Sequence, residues 1–254
     1  MKLRQVILNA TVGCVFNCPG CYINDGNHVE IAYKAFETYY KMLEYYKILE
    51  TNILINVGLT KSKMEVLFNE INKLVKVSDS KIDLLFPISL YFTELKDLIY
   101  ESQIPFWVST DVYKHSDLFD TQLFDALNEN ELFLGYNIYI WDKISFQYFL
   151  NFVDMYKNKN YKHTISVVFR KDKHCITEQY FKYAKYIEDN FNNIDIHLDC
   201  YSTGCVAGNW ISILSDGRLS LCPIITDYAF DFNKLDNELS NLKRNKYSSI
   251  CINK

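Results

Sequence analysis

Gly13-Cys14-Val15-Phe16-Asn17-Cys18-Pro19-Gly20-Cys21-Tyr22 places three cysteines within eight residues, at the spacing C-x3-C-x2-C. Packing rarely gathers thiols this closely, whereas each of them ligates metal once deprotonated. The segment must curl for three sulfurs to converge. Gly13, Pro19 and Gly20 suit such a curl, because glycine permits positive φ and proline fixes a turn. Three thiolates leave a metal one ligand short. Zinc would take a fourth protein ligand or a water; an iron–sulfur cluster would keep one iron open to another molecule. His28 stands nearby, but a lone histidine just ahead of a helix reads as a solvated side chain. No C-x2-C partner pair follows to complete a zinc ribbon.

Outward from this stretch, helical and extended patterns alternate. Gln5 to Ala10 reads as a strand running straight into the cysteines. The apolar spacing predicts a helix over 28–49, a strand over 53–57 and a helix over 64–75. Strands follow at 82–88, 106–110, 133–140, 164–170 and 194–198, with helices at 93–101, 118–128, 145–157 and 178–191 between them. Regular β-α repetition implies a parallel sheet with right-handed crossovers. Its functional loops then lie beyond the carboxyl ends of the strands, which is where the cysteines stand. After Asp199 the texture changes. Asn209 to Cys222 reads as a β-hairpin turning at Asp216-Gly217, and a helix is predicted around 235–244. We place a domain boundary near residue 200.

Composition narrows the class. The formal charge of −4 argues against a nucleic-acid surface spread over the chain. Tyr (20) and Phe (17) outnumber Gly (8) and Pro (4), as in a densely packed helix-and-strand protein, not a turn-rich sandwich. The apolar run Val6-Ile7-Leu8 ahead of Cys14 is too short for a lipoprotein signal, and no run approaches the roughly 20 residues that span a bilayer. A cytoplasmic protein without a membrane partner is expected. In such a reducing compartment eight cysteines point to metal or redox chemistry more than to disulfides.

C-x3-C-x2-C after a first strand, in a β/α chain of this size, resembles the radical S-adenosylmethionine superfamily. The resemblance covers residues 1–199 and implies an α/β fold, a partial (β/α)6-type parallel barrel. It implies that Cys14, Cys18 and Cys21 hold a 4Fe–4S cluster whose open iron is chelated by S-adenosylmethionine. An electron from the cluster cleaves that cofactor in the family, giving a 5′-deoxyadenosyl radical that abstracts hydrogen from substrate. The chain departs from the family in two places. The aromatic residue usual just before the third cysteine is replaced by Gly20, with Tyr22 following instead. The Gly-Gly-Glu element expected after strand two is reduced to Val57-Gly58-Leu59-Thr60, with Pro87-Ile88-Ser89 as a rival if the unit at 53–75 is an insertion. Seven strands are expected against the family's six. Tyr22, Gly58, Ser109, Asp111, Asn137 and Arg170 are the residues assigned to the cofactor, and Thr110 stands beside them at a strand end. Asp111, Tyr139 and His197 are each conceivable as a general base.

Cys205-x11-Gly217-x4-Cys222 is similar to the opening of the auxiliary-cluster region, SPASM or the shorter twitch, of many radical enzymes. Residues 200–254 would form that small hairpin-and-helix domain. The resemblance implies a second 4Fe–4S cluster on Cys205, Cys222 and Cys251, with Cys200 as fourth ligand or else an open iron that substrate or water could bind. A zinc ion on the same four thiols is the alternative, and Cys175 reads as a plain buried thiol. The implied activity is radical modification of a ribosomal peptide by crosslinking, epimerisation or oxidation, fed by an electron donor of the flavodoxin or ferredoxin type. A small-molecule sugar or alcohol dehydrogenase is the alternative within the family. Activation of a glycyl-radical enzyme is hinted at by the Pro-Gly-Cys-Tyr run, and the tail argues against it. A non-catalytic zinc or iron–sulfur protein is the competing class.

Overall fold

Alternation of apolar and polar residues sets the first strand, β1 (Lys2–Asn9), with Leu3, Val6 and Leu8 buried. The computed structural model describes residues 2–15, 28–91, 95–110, 121–140, 142–159, 161–169, 178–198, 207–222 and 228–242. The chain divides into two compact units, whose described parts are 2–105 with 207–242, and 106–198.

In the first unit, β1 is followed by two-residue strands β2 (Thr11–Val12) and β3 (Glu30–Ile31). Helix α1 (Tyr33–Tyr45) buries Ala35, Phe36, Tyr39 and Met42 along one face. Its Tyr39 is fully buried, and its hydroxyl lies 2.7 Å from Thr51 Oγ1 and 3.0 Å from Ser80 Oγ. A buried tyrosine needs such partners. Then come β4 (Lys47–Leu54), α2 (Lys61–Val77) capped by Thr60, β5 (Lys81–Pro87), a single turn α3 (Ile88–Leu90) and α4 (Lys96–Ser102).

The second unit holds β6 (Phe106–Thr110), α5 (Thr121–Asn128), β7 (Phe133–Ile140), α6 (Lys143–Asn158), β8 (Thr164–Phe169), α7 (Glu178–Asn190) and β9 (Ile196–Leu198). A capping box starts α6: Asp142 Oδ1 accepts from Ser145 N–H at 2.8 Å, and Ser145 Oγ accepts from Asp142 N–H at 2.9 Å. Such a cap contributes about 1 kcal/mol. Its strands lie in the order β6-β7-β8-β9, all parallel.

The chain then returns to the first unit with β10 (Trp210–Ile213), β11 (Leu219–Ser220) and α8 (Leu235–Ser240). The strand order there is β11-β10-β1-β4-β5; only the β10–β11 pair is antiparallel. All seven strands expected before residue 200 form, in the α/β alternation read from sequence.

Two local readings are corrected. The helix expected over 28–49 spans only Tyr33–Tyr45, and the strand expected at 53 begins at Lys47. The apolar residues at 46, 48, 49 and 53 satisfy both periods. What decides is burial of Thr51 and Ile53 on one side of β4, between β1 and β5. Strand β4 lies between those two parallel neighbours, so Val57-Gly58 follows the carboxyl end of the strand beside β1. The hairpin at 209–222 forms with its expected turn, but β10 pairs in parallel with β1, so the described part of the tail packs in the first unit. The boundary placed near residue 200 falls outside the described residues. Among the described residues no helix is long and apolar enough to cross a membrane.

Candidate cluster loop and polar strand face

The three cysteines belong to a segment closed at its base. Strands β2 and β3 pair antiparallel through Thr11↔Ile31 and Val12↔Glu30. A backbone bond from Ala32 N–H to Ala10 O (3.0 Å) extends the closure. The stem is also tied to the end of strand two. Ala10 N–H donates to Leu54 O at 2.9 Å, Val15 N–H to Val57 O at 3.0 Å, and Asn56 N–H to Thr11 Oγ1 at 3.0 Å. Gly13 turns the chain with φ of +73°, delivering Cys14 into a buried position, 8% exposed, just beyond the carboxyl end of β1.

Gly58 is the sequence-assigned residue whose role the geometry makes plainest. It has φ of +119°, and a β-carbon there would lie 2.5 Å from Val15 Cγ1 and 2.7 Å from Val29 Cγ2. Val15 follows Cys14, and Val29 precedes β3, so any side chain at 58 would press on both ends of the cysteine segment. Beside it Asn56 is 5% exposed, and its buried Nδ2 has no partner among the described residues. A donor stranded this way costs about 1–3 kcal/mol. The rival Pro87-Ile88-Ser89 stands at the end of β5, one strand further from β1. Cys18, Cys21 and Tyr22 lie outside the described residues, and among those described no three His, Cys, Asp or Glu side chains converge.

In the second unit, Ser109 pairs with Asn137 across β6–β7, Asn137 with Ser166 across β7–β8, and Ser166 with His197 across β8–β9. Registered neighbours in a parallel sheet share a face. The result is one polar row across four strands. The opposite face carries Tyr136, Ile138, Ile165 and Val167, all buried, with Tyr136 against Phe124 of α5 and Phe152 of α6. Of the expected cofactor residues in this unit, Ser109 and Asn137 are thus brought together; Asp111 and Arg170 lie outside the described residues. Among the described residues, Asn137 Oδ1 is buried with no hydrogen-bond partner.

Two of the conceivable bases, Tyr139 and His197, project on the same side as this row, by alternation along β7 and register across β8–β9. His197 has an orienting partner. Its Nε2 is 3.0 Å from Asp195 Oδ1, and Thr164 Oγ1 donates to Asp195 Oδ2 at 2.6 Å. Sequence reading missed Thr164, Ser166 and Asp195. The only signals were the alternation in β8 and the Asp-x-His spacing, which gain meaning once the strand register is known.

At the tail, Gly217 turns the hairpin with φ of +85°, and Leu214 N–H donates to Arg218 O at 2.8 Å. Cys222 follows β11, 2% exposed, and Ser220 Oγ donates to its carbonyl at 2.9 Å. Asn9, at the end of β1, donates from Nδ2 to Ser212 Oγ (3.1 Å) and Ile213 O (2.7 Å), fastening β10 to the strand that delivers Cys14. Cys200, Cys205, Cys251 and Cys175 lie outside the described residues.

No family model matches the chain, and no curated protein matches it. Among solved structures, the fold is similar to that of native anSMEcpe with bound AdoMet and Cp18Cys peptide. The TM-score is 0.59 at 13% identity, over 97% of this chain and 82% of that one. At that identity the likeness is one of fold.

Proposed function

We propose that this chain is a radical S-adenosylmethionine enzyme that modifies a peptide. The observation that carries the reading is the position of Cys14, first of the C-x3-C-x2-C set, in a closed loop at the carboxyl end of β1 and fastened to strand two. The shared fold of a protein with bound AdoMet and peptide supports it. The residues present fit a 4Fe–4S cluster: the donor set is three thiols, and Gly58 keeps the base of their loop clear of any side chain.

When bound, the cluster and S-adenosylmethionine together supply a 5′-deoxyadenosyl radical able to abstract hydrogen. Cys14, Cys18 and Cys21 hold the cluster. Tyr22, the backbone at Gly58, Ser109, Asp111, Asn137 and Arg170 are the residues we assign to the cofactor. Cys200, Cys205, Cys222 and Cys251 hold an auxiliary 4Fe–4S cluster within a tail domain at 200–254. A flavodoxin- or ferredoxin-type donor supplies electrons, and the enzyme is cytoplasmic.

Anaerobic reconstitution tests the cofactor assignment. The full chain should turn brown and take up about eight iron and eight sulfide, as two cubane clusters require. Cys14→Ala should lose about half of both. A colourless protein holding stoichiometric zinc would overturn the reading.

A further inference from the structure

An aromatic line in the second unit runs from the polar face of the sheet to the surface. Trp107 registers with Gly135 across β6–β7 and, two residues before Ser109, shares the face of the polar row. Its ring lies against the Gly135 backbone, where a β-carbon would stand 2.7 Å from Trp107 Cζ3. Tyr136, the next residue, projects from the opposite face and is fully buried. Its ring centroid is 6.1 Å from that of Tyr156, which in turn is 5.3 Å from that of half-buried Tyr161.

The hydroxyl partners give this line a direction. A phenol gives up an electron readily when a base takes its proton in the same step. Tyr136 Oη accepts from Asn128 Nδ2 at 2.6 Å, an amide donor that holds the phenol and takes nothing from it. Tyr156 donates to the His163 carbonyl at 2.5 Å, a weak base. Tyr161 donates to the carboxylate of Asp125, whose other oxygen lies 2.8 Å from Lys159 Nζ. Oxidation therefore becomes easier outward along the line and ends on Tyr161.

We infer that Trp107, Tyr136, Tyr156 and Tyr161 form a relay that draws an oxidising equivalent from the polar face to the surface. The oxidant is an oxygen-centred radical, such as the peroxyl radical formed when O2 captures a carbon radical. It takes the hydrogen atom of the Trp107 indole N–H, leaving a hydroperoxide and an indolyl radical. One electron then passes from Tyr161 through Tyr156 and Tyr136 to the indolyl. The Tyr161 proton goes to Asp125, and the indole regains a proton from water. A small thiol in solution returns a hydrogen atom to the half-exposed Tyr161 radical and becomes a thiyl. The radical reading supplies a source of such oxidants; the relay itself does not rest on it.

Pulse radiolysis of the full chain tests this, with the azidyl radical as a one-electron oxidant that prefers indoles. Indolyl absorption should decay as phenoxyl absorption grows, in a first-order phase independent of protein concentration. The phase lost in Trp107→Phe should be lost in Tyr161→Phe as well, with far-UV circular dichroism unchanged in both. Asp125→Asn keeps an acceptor for the hydroxyl but no base. There the phase should slow, and its rate should rise with the concentration of buffer base, to which the wild-type rate is insensitive. Absence of the phase from the wild-type chain, its persistence in Tyr161→Phe or in Trp107→Phe, or a wild-type rate in Asp125→Asn would overturn the inference. Cleavage of S-adenosylmethionine is scored separately. The phase without cleavage keeps the relay and sinks the radical reading, and cleavage without the phase does the reverse.

Discussion

The α-carbon of Gly58 lies so close beneath Val15 that a β-carbon at position 58 would stand 2.5 Å from Val15 Cγ1. The contact joins the end of strand two to the residue after Cys14, and the Val15–Val57 backbone bond locks it. With φ of +119°, position 58 also excludes an L side chain on backbone grounds. We expect Gly58→Ala to destabilise the protein by about 1–3 kcal/mol and to reduce the iron taken up on reconstitution. Urea unfolding and iron analysis check this. Adding Val15→Ala should recover part of the loss, and full iron uptake by the single variant would show that the loop does not depend on this contact.

Asn9 makes a different connection. Its buried amide spans from β1 to Ser212 and Ile213 of β10. Asn9→Ala leaves Ser212 Oγ and Ile213 O without that donor, and we expect a cost of about 1–3 kcal/mol. Hydrogen exchange at residues 210–213 should quicken more than in β4. Uniform quickening would mean that Asn9 supports the whole unit and does not hold β10 in particular.

The tyrosines give a pH signature. Burial pushes the Tyr136 hydroxyl well above the ordinary value near 10; burial, then a hydrogen bond to Asp125, raises Tyr161; burial raises Tyr156 to about 12. Below pH 10 these groups are protonated both folded and unfolded, and their contribution is complete. Above about pH 10 the unfolded chain ionises while the folded chain does not, so stability falls with rising pH. Tyrosinate absorbance should lag the model titration and then rise together with loss of the far-UV dichroism. A smooth titration near pH 10 with the fold intact would contradict the packing described.

Much of this was legible in the chain. Apart from β4, whose first residues read as helix, apolar periodicity marked the long strands and helices, because each buries one face, as Ile165 and Val167 do in β8 and Phe149 and Val153 do in α6. The cysteine spacing located the loop. What escaped depends on partners distant in sequence. Strands of two residues, such as Thr11–Val12 and Glu30–Ile31, have no period to detect. The parallel pairing of β10 with β1 joins residues about two hundred positions apart, and the alternation around Ile211 and Ile213 reads the same for a separate hairpin. The polar row was invisible because Ser109, Asn137, Ser166 and His197 become neighbours only through the register of four strands.

The most direct test is anaerobic incubation of the reconstituted full chain with S-adenosylmethionine and dithionite, following 5′-deoxyadenosine. The wild-type chain should form it, and Cys18→Ala should not. Formation that persists in Cys18→Ala, or its absence from a wild-type chain that holds its cluster, would contradict the assignment of the Cys14–Cys21 loop as the source of the radical.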